Sequence, residues 1–131
     1  RSSDLEGTRM PQTFIPESDT PRQRNFVEKY RKTFGVDRIP VAPAAAQGYD
    51  SMLLLAAAIR QARSTEGPRL QDALENLKER VEGIVMVYDR PFSKTDHEAI
   101  DSTRPLVMGE IRNRQVVFAY DEDRKRDALS R

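Results

Sequence analysis

Ala44-Ala45-Ala46-Gln47-Gly48-Tyr49-Asp50-Ser51-Met52-Leu53-Leu54-Leu55-Ala56-Ala57-Ala58-Ile59-Arg60-Gln61-Ala62 is the stretch that decides the fold class. Past Tyr49 its apolar side chains fall on nearly every side of a 3.6-residue turn. The spacing predicts a helix from about Gly48 to Arg63 that needs cover on more than one face, as inside a layered fold. Its apolar run, Met52 to Ile59, holds eight residues. A bilayer span needs ~18–20.

Upstream, Thr20-Pro21-Arg22-Gln23 predicts a helix start, with a hydroxyl cap, a proline at the first helical position and a glutamine three residues after the cap. Phe26, Val27, Tyr30 and Phe34 share one face of that helix, and Gly35 can close it in the left-handed conformation. Arg22, Arg24, Lys29, Arg31 and Lys32 line its other face, read as a solvated surface first and a partner patch second. Thr8 to Ile15 supplies one short extended segment near residues 7–11. Val36 to Pro43 reads as a link or short strand, interrupted by Pro40 and Pro43.

Downstream, Pro68 opens a third helix expected over 68–82, with Leu70, Ala73, Leu74, Leu77 and Val81 as its buried stripe. Ile84 to Tyr88 predicts a strand after Gly83. Two further strands are expected near 106–112 and 115–120, turning at Asn113-Arg114. The tail from Asp121 to Arg131 alternates in charge and is expected to be a solvated or frayed helix.

Among 131 residues, 22 Lys+Arg against 21 Asp+Glu leave a net charge of +1, which argues against nucleic acid as a partner. No cysteine and one histidine, His97, remove thiolate and two-histidine metal sites, and no motif calls for a cofactor. Asp96, His97 and Glu98 form the one group with acid/base character, but adjacency in sequence does not make side chains converge. They are expected on a surface loop, and the chain is not expected to be an enzyme. Tyr49 and Asp50 have two readings. Tyr49 packs in the core while Asp50 caps the helix, or the small residues ahead of them form a ligand wall at a helix N-terminus.

The ordered set of Phe26…Tyr30…Phe34-Gly35, Ala46-Gln47-Gly48-Tyr49-Asp50-Ser51, Leu70…Ala73-Leu74, Gly83 and Phe92-Ser93…Asp96-His97 with a closing hairpin resembles the C-terminal part of a type I periplasmic solute-binding protein. The nearest group is the branched-chain amino-acid (Leu/Ile/Val) receptors of ABC transporters, and the likeness covers roughly residues 5–120. It implies a layered α/β/α piece of a two-lobed fold. Residues 1–100 would come from one lobe, 101–120 would be closing strands toward the hinge and other lobe, and 121–131 a charged tail.

The resemblance further implies an amino acid or small organic acid as ligand, a membrane permease as partner and a periplasmic location, although the chain opens Arg1-Ser2-Ser3 without a leader. Ala45, Ala46, Gln47 and Tyr49 are the implied ligand-wall residues. The family's main carboxylate- and amine-binding residues lie outside this stretch, so the fragment alone is not expected to bind as a receptor does. The alternatives are a ligand-sensing regulatory domain of the same fold and a stand-alone α/β interaction module. A helix this apolar also leads us to expect a homodimer, formed through exposed apolar surface or by exchange of the hairpin or first strand.

Overall fold

A computed structural model describes residues 2–126. After a 3-10 turn come β1 (Arg9–Gln12), α1 (Pro21–Phe34), α2 (Ala42–Ala62) and α3 (Gly67–Glu75). The two-residue strands β2 (Val81–Glu82) and β3 (Val87–Tyr88) follow, then β4 (Val107–Arg112), β5 (Gln115–Phe118) and a last 3-10 turn. Every strand pairing among the described residues is antiparallel: β1-β4-β5 form one sheet and β2-β3 a small hairpin.

Helix α2 is the spine. Its N-terminal half sends Ala46 into a cluster with Phe14, Phe26, Val27, Ile39, Ile84 and Val85. Its C-terminal half sends Leu54, Ala57 and Ala58 against Ala73 and Leu77, beside Val81 and Tyr88. A smaller cluster of Ile15, Val107 and Phe118 sits under the three-stranded sheet. The expected cover is incomplete within this chain. Leu54 is buried, but Met52 on the same helix is 62% exposed.

The described elements depart from the sequence expectations in ways that have physical causes. Helix α2 starts at Ala42, well before Gly48, with Pro43 in its first turn and three alanines, the best helix formers, behind it. Helix α3 ends at Glu75 and not near 82. Asn76 leaves the helical region, and its Nδ2 donates to the Asp72 carbonyl oxygen at 2.9 Å. The strand expected over 84–88 is a hairpin whose turn spans 83–86. Thr20 does precede α1, but its hydroxyl pairs with Gln23 Oε1 at 3.1 Å and caps no backbone N–H. The tail holds one 3-10 turn, Asp121–Lys125, and 127–131 lie outside the described residues.

Gly35 closes α1 at φ 63°, as expected. The β4–β5 turn also forms where expected, with Asn113 at φ 51° and Arg114 at φ 64°. Left-handed backbone costs a non-glycine residue ~1–2 kcal/mol, whereas glycine loses ~0.5–1 kcal/mol more entropy on ordering. The first outweighs the second. Arg114→Gly is therefore expected to stabilise the fold by ~0.5 kcal/mol, read as a higher urea midpoint at unchanged m-value. A lower midpoint would show that the arginine side chain contributes more than its backbone strain costs.

Candidate functional site

Asp50 does not cap α2. It lies two turns inside the helix, with 1% of its surface exposed. Its carboxylate reaches across to the 83–86 turn, where Oδ1 accepts the Ile84 N–H at 2.6 Å and Oδ2 accepts the Val85 N–H at 2.9 Å. The Tyr88 hydroxyl donates to Oδ2 at 2.9 Å. From the other side, Gln23 Nε2 of α1 donates to the Ile84 carbonyl oxygen at 3.0 Å. One peptide unit is thus held by two helices through both its polar groups.

Gly83 makes this approach possible. A Cβ there would meet the Asp50 carboxylate and stand 2.6 Å from Tyr88 Cε2. Glycine is required here for space, not for an unusual dihedral angle. Burial pushes the Asp50 carboxyl above its ordinary value, and the hydrogen bonds from Ile84, Val85 and Tyr88 pull it partly back. Burial, then the Asp50 charge and hydrogen bond, push the Tyr88 hydroxyl far up, so it stays a donor at any physiological pH.

The sequence-derived wall residues separate around this centre. Ala46 is fully enclosed in the core, and Ala45 packs half-buried against the same cluster. Gln47 is exposed, and its Nε2 donates to Thr13 Oγ1 at 2.9 Å. Tyr49 is 45% exposed, outside the core where one reading placed it, with its ring 5.2 Å from that of Phe26. It stands at the edge of a groove of about 400 Å³ that runs along α1, two turns into α2.

Asp96, His97 and Glu98 do not converge. Asp96 Oδ1 accepts the Glu98 N–H at 2.9 Å, closing a local turn, while His97 Nε2 lies 3.2 Å from Glu75 Oε1 on α3. The hydrogen bond from Gln71, ahead of that from His97, holds the Glu75 carboxyl below its usual range. No group of three potential metal ligands occurs among the described residues.

Gln23, Gly83 and Tyr88 carry the centre together with Asp50, and the sequence patterns that contain them pointed to other roles: a helix start, a stretch ahead of a strand and the end of that strand. Two of Asp50's partners are backbone N–H groups, which have no letter in a sequence. Gly83 offered the one usable signal, a glycine directly ahead of a β-branched run.

A family model described as periplasmic binding protein matches residues 2–115. A leucine binding protein from Thermotoga maritima superposes with a TM-score of 0.66 at 23% identity, over 91% of this chain and 32% of that one. An ABC transporter substrate-binding protein from Desulfitobacterium hafniense, in complex with Leu, gives 0.60 at 22% identity, over 88% of this chain and 32% of that one. The chain therefore spans about a third of the length of these solved structures, whose fold it shares. No curated protein sequence matches it.

The Asp50 centre sets a pH dependence. Because its folded-state value is raised, the folded protein holds the proton more tightly than the unfolded chain does. The stability this lends is fully present below the unfolded value of ~3.9 and is lost as pH rises through the folded value. Asp50→Asn turns an amide donor either toward the Ile84 N–H or toward the Val85 N–H and the Tyr88 hydroxyl together, at a cost of ~1–3 kcal/mol. Urea titrations at several pH values should show the variant's deficit largest near pH ~4 and narrowing toward neutrality. A deficit that widens with pH would reverse the assignment. Gly83→Ala should cost ~1–3 kcal/mol by overpacking at every pH.

Proposed function

The chain belongs to the periplasmic binding protein family, and on that premise we propose that it is part of the substrate-binding component of an ABC-type transporter. Its substrate class is amino acids or related small organic acids. One observation carries this reading: the family match runs over residues 2–115, from the first 3-10 turn to the start of β5, and encloses the whole Asp50 centre. The names of both solved neighbours, which give leucine as ligand, support the substrate class.

In this reading, residues up to about 100 belong to one lobe, and 101–120, holding β4 and β5, lead toward the hinge and the other lobe. Ala45, Ala46 and Gln47 approach the inter-lobe cleft, Ala46 through its backbone because its methyl group is enclosed. Tyr49 stands behind them. The complete receptor works outside the cytoplasmic membrane and hands its ligand to a permease. Phe34, Tyr49 and Met52, at 63%, 45% and 62% exposure, make self-association of the isolated chain favourable.

Calorimetry against a panel of amino acids and short organic acids tests the substrate class, run on the longest gene product that contains this chain and on the chain itself. The expected result is saturable binding of one aliphatic amino acid or organic acid by the longer protein, and binding at least tenfold weaker by the chain alone. Absence of binding by the longer protein across the whole panel would overturn the reading. Light scattering at micromolar concentration should give a dimer mass for the isolated chain. A monomer mass would remove the self-association.

A further inference from the structure

Residues 89–106 join β3 to β4 without helix or strand. A connection of that length is uncommon unless it carries a role. Both ends of its middle part are anchored. Phe92 and Ala99 pack half-buried against the α2–α3 cluster, and Ile100 packs against the cluster around Phe26. Between these anchors, 93–98 is exposed and closes on itself. The Ser93 N–H donates to the Asp96 carbonyl oxygen at 2.7 Å, and Ser93 Oγ accepts the Asp96 N–H at 3.1 Å. His97 ties this turn to the body, with Nε2 lying 3.2 Å from Glu75 Oε1 at the end of α3.

The two partners differ in their surroundings. The Glu75 side chain is 9% exposed and the His97 side chain 62%. Gln71 Nε2 donates to the same Glu75 oxygen at 2.8 Å, so one enclosed oxygen serves both donors. Lys94 acts on Glu75 from the turn, and Asp96 and Glu98 flank His97 in the chain. Aspartate, glutamate and lysine side chains ordinarily keep their charge between pH ~5 and ~8, whereas imidazole does not. A charged ring gives Glu75 an ion pair. A neutral ring offers a hydrogen bond at most, which is weaker.

We propose that the His97–Glu75 contact is a proton-dependent strap: a charged ring fastens the 93–98 turn onto the end of α3, and a neutral ring releases it. An adjacent carboxylate favours the charged ring, so the fastening is fully present below the ordinary imidazole value of ~6.5 and is lost as pH rises above it. The anchors at Phe92, Ala99 and Ile100 are apolar, so they hold in both states. The strap opens without opening the core, and it does not depend on the substrate class proposed above.

The test is digestion of the chain with a lysine-specific endopeptidase at several values between pH ~5.5 and ~8, reading the cut after Lys94. At each pH the rate is divided by that of a free peptide of residues 90–101, whose one lysine is Lys94. The normalised rate should rise about two- to fivefold across this range, the scale of one exposed ion pair. The cut after Lys29, inside α1, reports opening of the fold as a whole and should rise less. His97→Gln keeps a donor at an exposed position but cannot become charged, and its normalised rate should not change with pH. Glu75→Gln should remove the dependence as well. In labelled parent chain, the Gln71 side-chain N–H signals should shift in step with the His97 ring. A flat parent profile, a rise at Lys94 no larger than at Lys29, or the same rise in either variant would overturn the proposal. So would Gln71 signals that ignore the ring.

Discussion

The contact between the Asp50 carboxylate and the Ile84 and Val85 N–H groups is the constraint on which the rest of the structure depends. It fixes the 83–86 turn against the middle of α2, and so places β2 and β3 and the apolar residues Val81, Ile84 and Val85. A carboxylate 1% exposed is costly to bury, and no cation touches it among the described residues. Its compensation comes from three donors, two of them backbone groups that would otherwise be orphaned in the turn. The carboxylate and the turn each need the other.

That dependence extends outward through Gln23. Its amide donates to the Ile84 carbonyl oxygen while its Oε1 accepts from Thr20, whose hydroxyl also lies 3.0 Å from Ser18. The start of α1, the turn and the middle of α2 therefore form one polar chain through an otherwise apolar centre. Replacing a buried polar set with apolar residues often costs little stability. The benefit of this one is register, because an apolar contact between α2 and the hairpin would allow sliding that paired donors and acceptors forbid.

The apolar surface left open, at Phe34, Tyr49 and Met52, belongs to the same arrangement. With α2 covered by α1, α3 and the hairpin over parts of its surface, Met52 is left bare within this chain. That agrees with a stretch spanning 32% of the neighbouring structures. The basic residues of α1 divide between this face and solvent. Arg22 and Lys29 edge the aromatic groove, whereas Arg24 and Arg31 lie on the opposite side beside Glu28. The basic face, read as a solvated surface first and a partner patch second, is thus divided between two different surroundings.

The sequence by itself determined that three helices and a closing hairpin with its turn form, because helix spacing and turn residues act over a few positions. Where α2 starts and α3 ends, and the pairing of β1 with β4, were not legible there. Pro21 and Gly35 bound α1, apolar spacing builds α2, and Asn113 accepts positive φ. The ordered motifs also identified the family, which needs only their sequence order. Only the tertiary structure decided what Asp50 does. A carboxylate near a helix start and one in its middle look alike in a sequence, and the donors that satisfy it are backbone groups 34 and 35 residues away. The same distance hid the hairpin inside 81–88: β-branched residues predict extended backbone, but Asp50 takes the N–H groups a continuous strand would have used. It also hid the position of Tyr49. Whether a ring is covered depends on what stands across from it, and here that is Phe26 of another helix with open solvent beyond.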